Sequence, residues 1–137
     1  MTDDEKAEKK KKSFFSNFVK NTLRRASYRW PPRDEAIRNA RVARGFYKCS
    51  TCEIDTFKRH EVELDHIEPV IDIKNGFTTW DDYIIKLFPD ASHYQVLCKT
   101  CHSAKTSIED TLRAEYNAGR KELDKEQKKL DKKKNKE

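Results

Sequence analysis

Apolar residues recur along this chain in short periodic runs, separated by charged stretches. In "SFFSNFVKNTLRRAS", Phe14, Phe15, Phe18, Val19, Thr22, Leu23 and Ala26 fall at helical spacing behind Ser13, a plausible N-cap. The prolines of "YRWPPR" cannot continue that helix. Residues 34–44 predict a second helix, weakly apolar through Ala36, Ile37, Ala40 and Ala43, and ended by Gly45. "FYKCSTC" predicts a short strand entering a turn. "HEVELDHI" sets Val62, Leu64 and His66 against Glu61, Glu63, Asp65 and Ile67, the alternation of a strand that runs towards Pro69. "TTWDDYIIKLF" places Trp80, Tyr83, Ile84 and Leu87 at helical spacing behind a threonine cap, a stripe expected to be core packing. "YQVLC" predicts another strand. From about Cys101 the chain turns helical again, with Ile108, Leu112 and Tyr116 on one face.

Four segments are therefore expected. Residues 1–12 are a disordered basic tail, 13–44 a basic helical extension, 45–118 the core, and 119–137 a lysine-rich tail that is helical at most in part. With 35% of residues hydrophobic and 39% charged, the core of this 137-residue chain is small and gains from a staple. No apolar run approaches the ~18 residues of a membrane span. "MTDDEKAEKKKK" also lacks the apolar segment of a signal peptide. A cytoplasmic chain with reduced thiols, no membrane contact and no small-molecule substrate is expected.

Charge sharpens the picture. The net +6 divides into +8 over residues 1–48 (14 Lys/Arg, 6 Asp/Glu), −6 over 49–110 (6 against 12) and +4 over 111–137 (10 against 6). Arg24, Arg25, Arg29, Arg33, Arg38, Arg41 and Arg44 stand against two acids in 21 residues. Arginine's planar fork suits phosphate oxygens, so these residues are candidate nucleic-acid contacts; a solvated helix face is the alternative. The basic arms are equally compatible with simple solubility tails.

"LCKTCHSAKT" carries the sharpest chemistry. Its C-x-x-C-H matches a c-type haem attachment signature, and equally one half of a four-thiolate zinc site. The haem reading leaves Cys49-x-x-Cys52 unexplained and calls for an export signal. Cys49, Cys52, Cys98 and Cys101 instead form two knuckles with no cysteine left over, the pattern of structural zinc. His102 is then free at a helix start. Asp65 and His66 lie within the loop that the knuckles close. Asp65 and His102 could bind a divalent ion, with His66 as a general base. His60, Glu63 and Glu68 are expected on the surface.

"DHIEP" at 65–69, "YQVLCKTCHSAKT" at 94–106 and "CSTC" at 49–52, in that arrangement, resemble the HNH endonuclease family. The resemblance implies an α+β fold: a small ββα-metal core on the four-cysteine zinc site, with flanking N- and C-terminal helices. It implies His66 as the base that activates water, and Asp65 and His102 as ligands of a catalytic Mg²⁺ or Mn²⁺, with Ni²⁺ or Zn²⁺ as substitutes. Lys105 is a candidate phosphate contact. The family's middle asparagine is replaced here by His93, for which an orienting role in catalysis is expected, with a further metal ligand or an added charge as the alternative. The implied reaction is DNA cleavage to 5′-phosphate and 3′-hydroxyl ends. "TTWDDYIIKLF" and "RRASYRWPPRDEA" resemble small HNH proteins of bacteriophages and prophages, which implies terminase and portal proteins as partners. A zinc-stapled nucleic-acid-binding module without catalysis is the main alternative. An interaction protein whose basic arms bind an acidic partner is another.

Overall fold

The computed structural model describes residues 2–136; Met1 and Glu137, the ends of the two expected tails, lie outside the described residues. It is a mixed structure of helices and two small antiparallel sheets, each of two strands. In chain order these are α1 (Asp3–Ser27), α2 (Pro31–Asn39), β1 (Arg41–Ala43), β2 (Phe46–Tyr47), β3 (Val62–His66), α3 (Trp80–Leu87), β4 (Tyr94–Cys98) and α4 (Lys99–Lys134).

The central pair is β3–β4, in register from Val62 opposite Cys98 to His66 opposite Tyr94. Both strands read as expected. β4 buries Tyr94, Val96, Leu97 and Cys98, and α4 follows it without a loop and packs back on both strands. The α3 stripe is core, as its spacing predicts: Tyr83 and Leu87 are fully buried and Thr79 Oγ1 accepts the Asp82 N–H at 3.1 Å. α1 and α2 are fastened to this unit by aromatic side chains. Tyr83 Oη donates to Lys20 O (3.2 Å), Trp30 Nε1 donates to Pro89 O (2.7 Å), and Trp30 meets Phe88 edge to face.

Four expectations change. Residues 3–12 are helix rather than disordered tail. Thr2 and Glu5 form a capping box (2.8 and 3.2 Å) behind an acidic first turn, and both the caps and the helix dipole favour that start. The apolar face of α1 is rotated from the one expected. Val19, Leu23 and Ala26 turn inward, while Phe14, Phe15 and Phe18 remain 61–74% exposed.

The second helix does not cover 34–44. Pro31 and Pro32 begin it, because a proline at the first helical positions loses no hydrogen bond there. It ends at Asn39, and Gly45 (φ 80°) turns the β1–β2 hairpin instead of capping a helix. Arg38, Arg41 and Arg44 thus sit on a helix, a strand and a turn, not in one helical array. Finally, α4 passes through Gly119 to Lys134. Residues 120–134 are mostly strong helix formers, and at 36 residues the helix is about 54 Å long.

Leu97 has no exposed surface and sits between Cys49 and Cys98, with Phe57 and Cys101 packed around them. Leu97→Ala should cost roughly 2–5 kcal/mol, as a large cavity in a small core does. Urea unfolding of the two proteins measures it. A loss below about 1 kcal/mol would mean the core does not depend on this residue.

Candidate metal centre and adjoining cleft

The first knuckle follows β2. Glu53 N–H donates to Cys49 O, Cys49 N–H donates to Ile54 O (both 3.0 Å), and Glu53 takes a left-handed φ of 63° to close the turn. Ser50 N–H donates to Val96 O (2.9 Å), which ties this knuckle to β4. The second knuckle is the junction of β4 and α4. Cys98 ends the strand and caps the helix, its sulfur accepting the Cys101 N–H at 3.4 Å.

The two turns bring all four sulfurs within 4.8 Å of one another, with Cys52 and Cys98 at 4.0 Å. Zinc–sulfur bonds of about 2.3 Å in a tetrahedron put sulfurs about 3.8 Å apart. The four cysteines could therefore hold a structural metal such as zinc. The electrostatics point the same way. Burial raises the Cys49 thiol, yet the backbone N–H groups of Cys98, Cys52 and Thr51 bring it down to about 6. Cys101 is pushed up to about 12, first by the Cys98 thiol and then by burial. Neighbouring thiolates repel, and a cation between them removes that penalty.

Asp65 and His102 meet beside this staple, and His66 follows Asp65 at the end of β3. Asp65 Oδ1 lies 3.9 Å from His102 Nε2 in the first turn of α4. Asp65 Oδ2 accepts from Gln95 Nε2 at 3.0 Å, its cross-strand partner, and from Lys105 Nζ. Ligands about 2.1 Å from a common ion can be up to about 4.2 Å apart, so Asp65 and His102 fit as two donors to a divalent cation. Cys49, Cys52, Cys98 and Cys101 are the only group of three or more candidate ligands among the described residues.

His66 Nε2 is 3.1 Å from Leu87 O, and its ring is tilted over Tyr94 at 4.8 Å. A carbonyl only accepts, so Nε2 carries the proton and Nδ1 keeps its lone pair. Burial lowers the imidazole's pKa and Arg33 lowers it further, against the Leu87 carbonyl and Asp65, which raise it. The neutral form is favoured.

His66 and His102 line one cleft of about 590 Å³, together with Arg24, Arg33, Arg59 and Lys99. Four cations from α1, α2, the turn before β3 and the start of α4 thus converge on three imidazoles, since His60 lines the cleft as well, and Glu63 is the one carboxylate on its wall. Arg33 also lies over the Tyr28 and Tyr94 rings. Arg25, Arg29, Arg38, Arg41 and Arg44 are exposed and do not line this cleft.

Two expected roles shift. Lys105 is a poor free phosphate contact, because its ammonium is engaged by Asp65, the His66 carbonyl (2.8 Å) and Glu109 (3.2 Å). The His93 side chain does not bond the His66 ring, whose partner is Leu87. His93 is exposed with Nδ1 3.3 Å from Ser92 Oγ, while its carbonyl accepts the Ile67 N–H (3.0 Å) and extends the ladder past His66. It shares only the wall of a second cavity, of about 340 Å³, with His66.

Motif and periodicity do not single out Arg59, His60, Lys99 or Gln95. Gln95 is within reach of the sequence, since pairing "VELDH" with "YQVLC" end to end sets Gln95 opposite Asp65. No protein-family model, curated protein or solved structure matches the chain.

Cys49→Ser and Cys98→Ser should each lose bound zinc and unfold the core, because site and core share the same residues. Zinc content and thermal melting measure this together. A variant that stays folded without zinc would refute the staple.

Proposed function

We propose that the chain is a metal-dependent endonuclease of the HNH type that hydrolyses DNA phosphodiester bonds. The observation that carries this reading is the single cleft in which His66 and His102 meet Arg24, Arg33, Arg59 and Lys99. A phosphodiester is an anion, and arginine forks bind its oxygens bidentately. On this reading β3, β4 and the start of α4 are the ββα-metal core.

His66 accepts a proton from water at Nδ1, while the Leu87 carbonyl holds the ring through Nε2. The water oxygen forms its bond to phosphorus as the bond to the 3′-oxygen breaks, and the departing oxygen takes a proton from solvent, so the products are a 5′-phosphate and a 3′-hydroxyl. Asp65 and His102 would hold a divalent ion, which would supply positive charge where negative charge builds on the phosphate. Arg24, Arg33, Arg59 and Lys99 hold the neighbouring strand. Zinc on the four cysteines would be structural and would take no part in bond breaking.

One observation favours a second reading, a zinc-stapled DNA-binding module without catalysis: the Lys105 ammonium sits on the carboxylate proposed to hold the ion. Plasmid incubated with the protein and Mg²⁺ or Mn²⁺ separates the two. Cleavage with 5′-phosphate ends supports the nuclease, and DNA retention without cleavage supports the module.

His66→Ala should lower the nicking rate by about a hundredfold or more, with gel-shift affinity and melting temperature near wild type. Wild-type cleavage by this variant would sink the assignment. Arg24→Ala with Arg33→Ala should weaken DNA binding more than Arg38→Ala, Arg41→Ala and Arg44→Ala combined, and should flatten the salt dependence by about two units of slope. The reverse order in a salt-titrated retention assay would move the DNA path away from the cleft.

A further inference from the structure

Lys105 lies one helical turn beyond His102, and its ammonium is the most heavily engaged of the cations around the ion site. It contacts Asp65 Oδ2, donates to the His66 backbone carbonyl at 2.8 Å, and pairs with Glu109 Oε1 at 3.2 Å. Only about a quarter of its side-chain surface is exposed. The Asp65 carboxylate is consequently divided. Oδ2 is occupied by Lys105 and Gln95, and Oδ1 faces His102.

We infer that Lys105 is a positioning residue that makes ion binding depend on substrate. It neutralises Asp65 in part, so a divalent ion alone binds weakly, and an anionic phosphodiester in the cleft restores the balance of charge. The inference rests on the proposed ion site at Asp65 and His102.

Three features carry it. The ammonium is bonded to the ligand carboxylate itself, so it repels an incoming dication at short range, where screening is weakest. Gln95 holds the same oxygen from β4, so Asp65 keeps its orientation when Lys105 is absent. Removing the lysine therefore removes charge more than it removes geometry. Glu109, one turn further along α4, gives the displaced ammonium a second anion to pair with. Lys105 thus has two carboxylates within reach, and an ion on Asp65 leaves it with Glu109.

The test uses the full chain with zinc in the cysteine site. Mn²⁺ is titrated and free Mn²⁺ is read by its paramagnetic resonance signal, with and without a short DNA duplex. Lys105→Met should bind Mn²⁺ about tenfold or more tightly than wild type in the absence of DNA, because a direct charge repulsion is gone. Lys105→Arg should stay close to wild type, and Lys105→Met, which loses three polar contacts, should melt lower yet remain folded at the titration temperature. DNA should tighten Mn²⁺ binding in wild type and much less in Lys105→Met. If Lys105→Met binds Mn²⁺ no more tightly than wild type while Asp65→Asn abolishes binding, the inference fails and the ion site stands. If wild type and Lys105→Met both bind no better than Asp65→Asn, the ion site itself fails, and the nuclease reading with it.

Discussion

Four thiols held within 4.8 Å of one another are the constraint on which the rest of the molecule depends. The two knuckles stand 45 residues apart in the chain, and the segment between them contains β3, α3 and nearly all of β4. Bringing the sulfurs together closes that segment into a loop and fixes where β4 ends. Since α4 begins at the next residue, the same closure fixes the height and rotation of the helix that carries His102 and Lys105. The small apolar core does not oppose this arrangement. Cys49, Leu97 and Cys98 are its centre, and the two cysteines are half of the thiol cluster, so burial and a metal held there would stabilise the same few atoms.

Charge is laid around this staple by elements that are far apart in sequence. Arg24 comes from α1, Arg33 from α2, Arg59 from the turn before β3 and Lys99 from the head of α4. Two aromatic fastenings make that possible, Trp30 on Pro89 and Tyr83 on Lys20. They hold the basic extension against the acidic middle segment, so the molecule presents positive charge where His66 and His102 open to solvent. The extension thus contributes a wall of the cleft as well as net charge.

Much of this was legible in the sequence, wherever the signal is short in range. Strict alternation marked β3, a threonine cap and 3.6-residue spacing marked α3, and two identical cysteine spacings marked the staple. Other signals were present and outweighed. Thr2 and Glu5 spell a capping box, but low complexity around them suggested a tail. Pro31 and Pro32 signal the end of one helix, and they also begin the next. The orientation of α1 could not be read from periodicity, because Phe14, Phe15 and Phe18 lie at the same spacing as the residues that pack. Arg59 and Lys99 join the cleft only through tertiary convergence, which linear spacing does not encode. The exchange of Lys105 from phosphate contact to Asp65 partner has the same origin.

Glu53 has a consequence for how such a sequence can drift. It holds the left-handed turn that closes the first knuckle, at φ 63°, where a residue with a Cβ costs about 1 kcal/mol more than glycine. Its side chain is exposed, so nothing in the core asks for a glutamate. Mutational tolerance at this position should therefore run opposite to that of its neighbours. Glycine or asparagine would enter freely, and a β-branched residue would be purged although it touches no ligand. In a library of random variants, position 53 would report on backbone conformation alone, one residue from the Cys52 thiol.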